Sequence, residues 1–137
     1  MKKTQVSKLV GQGLIEFALV MPILAFLLIG LFDLGYAAFI RNILGNAAHE
    51  GARTGIVLTK QDADIQAQVR ATTAGLNTAT LQIQIAPSPN RTFNQPITVT
   101  VSYPYVPLTP VLGNIVGGSI TLSATSVMIV EGVIEYH

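Results

Sequence analysis

GQGLIEFALVMPILAFLLIGLFDLGY, residues 11–36, is the stretch on which the reading of this chain turns. From Phe17 to Phe32 it has sixteen positions without a polar side chain, and reaching back to Leu14 adds only Glu16 as a charge. A helix needs about 20 apolar residues, with a range of roughly 17–25, to cross a bilayer core. A helix apolar on every face lies either in lipid or inside a large protein, and 137 residues are too few to surround one. The segment therefore reads as a membrane span. Lys2, Lys3 and Lys8 precede it with no acidic residue among them. Basic residues stay on the cytoplasmic side, so the N-terminus is expected inside and the chain beyond about Asp33 outside. A secretory signal is the alternative. The run exceeds the usual h-region, however, and Gly35-Tyr36-Ala37 is a poor cleavage site.

Composition agrees with this reading. Half of the residues are hydrophobic, 11% are charged and cysteine is absent, while mean hydropathy is +0.52. Soluble domains carry about 25% charged residues. Disorder is excluded by the apolar content. Disulfides, thiolate metal sites and cysteine nucleophiles are excluded by the missing cysteine. A formal net charge of +1 leaves no basic surface for nucleic acid.

Beyond Phe32 the pattern becomes amphipathic. Phe32, Tyr36, Phe39, Ile43 and Ala47 recur at helical spacing and are expected to form the inward stripe. Arg41, Asn42, Asn46, His49, Glu50 and Arg53 fall largely elsewhere. A helix from Leu14 to Val57 would be about 66 Å long at 1.5 Å per residue, longer than a bilayer is thick. Pro22 should kink or loosen it. Gly51 is expected to let the helix pack against the rest of the chain, and Gly55 either packs or ends the helix. Asp33, at the membrane edge, is either solvated or makes an inter-subunit contact with Arg41 or the leaderless end of the rod.

The remaining chain, from Thr59, reads as a head. Asp62 and Asp64 suit a helix N-terminus, and Ile65, Val69 and Leu76 give a short helix over about residues 61–75. Alternation at Leu81–Ile85, Ile97–Tyr103 and Ile120–Val130 predicts three strands. The proline-rich stretch 87–96 reads as a loop, residues 103–110 should end the second strand, and residues 111–116 are expected to form one helical turn. Tyr103 is expected in the core and Tyr105 in local packing. The fold class is α+β: an antiparallel sheet of about three strands and one short helix, covered by the outer half of the long helix.

Chemistry-bearing constellations are missing. His49-Glu50 starts an H-E-x-x-H pattern, but its fifth position is Arg53. Glu50 and Arg53 read better as an ion pair three residues apart. No serine, histidine and acid group as a triad, and no phosphate loop occurs. Asn90-Arg91-Thr92 matches a glycosylation sequon on a loop, a pattern frequent by chance. No enzyme, cofactor or metal site is expected.

Gly11-Gln12, Glu16-Phe17-Ala18-Leu19-Val20, Pro22, Asp33-Leu34-Gly35 and Ala48-His49-Glu50-Gly51-Ala52-Arg53 together resemble the TadE-like pilin family of tight-adherence (Tad) pilus systems, a type IV-related group. The resemblance is strong over residues 11–57. It implies a leader at 1–11, a filament-core helix at 12–58 and an extracytoplasmic head at 59–137. It also implies cleavage by a prepilin peptidase after Gly11, which makes Gln12 the first mature residue and Glu16 the fifth. In such pilins that glutamate matches the terminal ammonium of a neighbouring subunit. Gln12 is polar where many relatives begin with an apolar residue. Phe17 and Pro22 belong to the same assembly segment, and Asp33, Gly35, Arg41 and Gly51 are candidates for subunit packing. The implied partners are the peptidase, other pilin subunits, the bilayer before assembly and, indirectly, the assembly platform and its ATPase. The implied route runs from cytoplasmic membrane to extracellular pilus. Losing residues 1–11 removes three lysines and takes the net charge from +1 to −2. The rival expectation is a single-span anchor holding a binding domain that never polymerises.

Overall fold

The computed structural model describes residues 4–132. Lys2, Lys3 and His137, three residues weighed in the sequence, lie outside them. Helix α1 runs unbroken from Thr4 to Gly55. Its first part stands alone: no residue from Gly11 to Phe32 is buried. Its second part carries α2 (Asp62–Thr72) and an antiparallel meander of β1 (Gln82–Ala86), β2 (Pro96–Tyr105) and β3 (Ile120–Ile129), with β2 central. A single short helix, α3 (Pro110–Ile115), lies between β2 and β3.

The sheet is one-sided because its strands alternate. Ile97, Val99 and Val101 of β2 are fully buried. Ile83 and Ile85 pair with Val101 and Val99, and Ala124 and Met128 pair with Val101 and Ile97, so their half-buried side chains share that inner face. The opposite face is mostly polar, with the Thr100 and Thr125 hydroxyls 2.9 Å apart. A sheet with one apolar face needs a cover. Ile40, Leu44, Ala47, Ala48 and Ala52 of α1, with Ile65 and Val69 of α2, complete the core.

The inward stripe of α1 differs from the expected one. Phe32 is 76% exposed, and Tyr36 and Phe39 are exposed as well. The row that faces the head is Asp33, Ala37, Ile40, Leu44, Ala47, Ala48, Gly51, Ala52 and Gly55. Residues 34–40 are apolar all round, so spacing alone does not set the phase. Size does: the row rich in alanine and glycine lets a sheet approach the helix closely, and the aromatic row is left outside.

One expectation about proline also changes. Strand β2 continues through Pro104 to Tyr105. It can do so because β1 begins opposite Ser102, leaving Pro104 with a strand neighbour only on the β3 side, where it pairs with Thr121. Pro22 lies inside α1 without ending it. Proline has no N–H, so the Ala18 carbonyl lacks its usual donor there.

Helix α1 ends at Gly55, two residues before the expected Val57. The chain then joins the sheet side: the Glu131 N–H donates to the Ile56 carbonyl at 2.9 Å. Helix α2 starts where the Asp64 carboxylate accepts the Gln61 N–H at 2.9 Å. Asp62 and Asp64 in its first turn and Arg70 in its last suit the helix dipole.

Candidate functional site

The molecule presents two connected regions: a bare stem and the junction that fastens the head to it. At the stem's start the Gln12 side-chain amide donates to Glu16 Oε1 at 3.2 Å, an exposed contact between positions four apart. Among the described residues, Gln12 is the hydrogen-bond partner of Glu16. Phe17 is exposed, as are most of the large apolar residues up to Phe32. Gly11 and Gly35 have no atom within 4 Å of where a Cβ would stand, so neither glycine is required by packing in the single chain. Arg41 is exposed.

Asp33 behaves differently from either expectation. It is only 3% exposed, and it is engaged by its own chain. Oδ1 accepts the Tyr105 hydroxyl at 3.0 Å and the Leu108 N–H at 2.8 Å. Oδ2 accepts the Thr109 N–H at 3.0 Å and the Thr109 hydroxyl in a very short contact. The Tyr105 hydroxyl also lies 3.2 Å from the Asp33 carbonyl. The carboxylate is thus used within the subunit, not solvated and not held for Arg41. A buried acid needs such donors, because leaving it without partners is costly. Charge-assisted bonds of this kind are about twice as strong as neutral ones.

Tyr105 is the buried aromatic of this region and Tyr103 is only half-buried, the reverse of the expectation. Tyr36 stacks at a tilt on Tyr105, ring centres 5.9 Å apart. Burial raises the Tyr105 phenol pKa to about 12, with the Asp33 hydrogen bond and charge adding to the effect.

Gly51 packs inside the subunit. A Cβ there would stand 2.6 Å from Val69 Cγ2 and 3.2 Å from Val99 Cγ1. This supports the expected helix-to-head packing. Gly55 is both the last helical residue and a close contact of Ile97 and Ile65.

Arg91 was legible only as the middle of a sequon, yet it is the second fastening. Its side chain is 4% exposed. It donates to the Gly55 carbonyl at 3.2 Å and to the Lys60 carbonyl, and its guanidinium lies 3.6 Å from Asp62. Ser88 donates to the other Asp62 oxygen. An arginine at the C-terminal end of α1 satisfies a free carbonyl and complements the dipole. The 87–95 loop is held by it. Glu50 and Arg53 do form the expected pair, at 3.8 Å, but it is exposed and contributes little.

Among the described residues, no three histidine, aspartate or glutamate side chains stand together as a metal site. Residues 11–53 match the family model described as TadE-like protein. That family is structural and non-enzymatic, and the matched span includes Gly11, Gln12, Glu16, Pro22, Asp33, Gly35, Arg41 and Gly51. No curated protein and no solved structure matches the chain. A segment that matches the TadE-like model, with an apolar helix long enough for a membrane, carries a small α+β head.

Proposed function

We propose that this chain is a structural subunit of a Tad-type pilus. It inserts through α1 with its head outside the cytoplasm, is cut by a prepilin peptidase after Gly11, and then packs into a filament through the stem. The observation that carries the reading is the bare stem. No residue of an apolar run ending at Phe32 is buried by the chain itself, and exposing so much apolar surface to water is unfavourable at about 25 cal/mol per Å². Lipid before assembly and neighbouring stems after it are the environments that remove this cost.

Glu16 supports the same reading. At the stem end its carboxylate is met, among the described residues, by Gln12. Cleavage would put an ammonium on Gln12, and a neighbouring subunit's ammonium would meet Glu16 in a low-dielectric bundle where opposite charges attract strongly. Replacing Glu16 by alanine tests the role. Membrane insertion is expected to persist while filaments are lost. Filaments formed normally by Glu16→Ala would remove the pairing role and favour a non-polymerising anchor.

A further inference from the structure

The junction at Asp33 has a consequence for where the head sits. Between Glu16 and Arg41 the only charged residue is Asp33. At 1.5 Å per residue, those two outer charges are separated by about 37 Å along the helix, compared with a hydrocarbon core of about 30 Å and a whole bilayer of about 40–45 Å. Twenty residues counted from Phe17 end at Tyr36, beyond Asp33. The helix surface stays apolar there, with Leu34, Tyr36 and Phe39 all exposed. Asp33 thus falls within the bilayer's thickness, and its carboxylate is already supplied with four donors from the head.

Those donors fix residues 105–109 at the height of Asp33. The chain then runs back along the stem. Leu112 of α3 lines an apolar cleft of about 340 Å³ with Phe26, Leu27, Gly30, Leu31 and Leu34. Phe26 is seven residues, or about 10 Å, deeper into the apolar run than Asp33. The outward side chains of this lip are mostly apolar: Val106 and Leu108 are among the most exposed large hydrophobic residues of the head, Val116 is exposed as well, and Asn114 is a polar exception. Residues 92–130 contain no charged side chain at all. A loop built to face water would not leave Val106 and Leu108 uncovered, and the carboxylate beside them, Asp33, is itself buried.

We propose that in the membrane-inserted chain the lip formed by residues 106–116 lies in the head-side leaflet and that lipid acyl chains cover it. The inference rests on the stem being in the bilayer. Lipid is the occupant because the cleft and the lip are continuous with the bare stem surface, and a stem sitting in lipid carries them into the same layer. The head is then not a domain swinging above the membrane. It is seated on the membrane by two attachments, the Asp33 carboxylate and the apolar lip.

The chain has no cysteine, so single substitutions place one probe each. Val106→Cys and Leu108→Cys sit on the lip, Leu24→Cys on the stem and Thr125→Cys on the outer face of the sheet. Each full-length variant carries an environment-sensitive fluorophore in phosphatidylcholine–phosphatidylglycerol vesicles containing lipid spin-labelled near the headgroup or deep in the chain. An interfacial element lies about 5–10 Å into the boundary, so the lip labels should be quenched by the shallow lipid at least about threefold more than the Thr125 label. The Leu24 label should respond to the deep lipid. Quenching at Leu24 with none on the lip overturns the seating while leaving the membrane stem intact. Lip labels shielded from aqueous iodide but unquenched by lipid mean that a second copy covers the surface, and they overturn it too. No quenching at Leu24 defeats the stem reading and the seating together.

Discussion

The Tyr105 hydroxyl donates to the Asp33 carboxylate at 3.0 Å, joining a helix residue to a strand residue 72 positions later. With the Leu108 and Thr109 N–H groups and the Thr109 hydroxyl, this contact ties the end of β2 to the point where the bare stem meets the head. Removing the acid should therefore loosen the head without touching the stem. Asp33→Ala leaves buried donors unpaired, at about 1–3 kcal/mol each before relaxation. We expect a lower melting temperature and faster proteolysis of residues 105–116, measured in detergent against the unchanged chain. Unaltered melting and proteolysis would contradict the fastening.

Tyrosine titration reports on the same contact. The Tyr105 pKa is raised to about 12 in the folded chain, compared with about 10 for a free phenol. Below pH 10 the phenol is protonated in folded and unfolded chains alike. Between about pH 10 and 12 the unfolded chain gives up its proton first, so stability falls as pH rises through that window. Absorbance of tyrosinate should show one late-ionising tyrosine, and Tyr105→Phe should abolish it. A late step that survives Tyr105→Phe would disprove the assignment.

Gly51→Ala sets two effects against each other. Alanine favours a helix by about 1 kcal/mol over glycine, but its Cβ would stand 2.6 Å from Val69 Cγ2. Overpacking costs about 1–3 kcal/mol, so the variant should be less stable. Combining it with Val69→Ala should relieve the clash and give a coupling energy of at least about 0.5 kcal/mol in a double-mutant cycle. Additive effects would mean that the helix and α2 do not meet at this glycine.

Arg91→Ala removes the partner of Asp62 and the donors to the Gly55 and Lys60 carbonyls. Breaking a largely buried pair costs about 3–5 kcal/mol. Arg91→Lys should restore little, since an ammonium cannot reproduce the fork that reaches both carbonyls. Thermal melting of the three chains in one detergent decides this.

How far the sequence discloses the molecule depends on which forces set each feature. The stem was readable because sixteen consecutive apolar residues leave no other environment for them. The sheet was readable because Ile97, Val99 and Val101 alternate with threonines. The phase of α1 was not, because Phe32, Tyr36 and Phe39 look like a core stripe, and only the shape of the head shows that the alanines and glycines face inward. The roles of Asp33 and Arg91 were equally hidden. Each depends on backbone groups that folding brings from 31 to 76 positions away, and no local pattern announces such partners. Pro104 misled for a similar reason: its tolerance depends on where β1 begins, which is a property of the sheet.

Processing into a pilus subunit would leave its mark at the terminus of the mature chain. The chain should be isolated from membrane and pilus fractions and its intact mass and first residue determined. The account predicts a chain beginning at Gln12, with residues 1–11 removed. A chain that keeps Met1, or one that begins near Ala38 after release by signal peptidase, would contradict it.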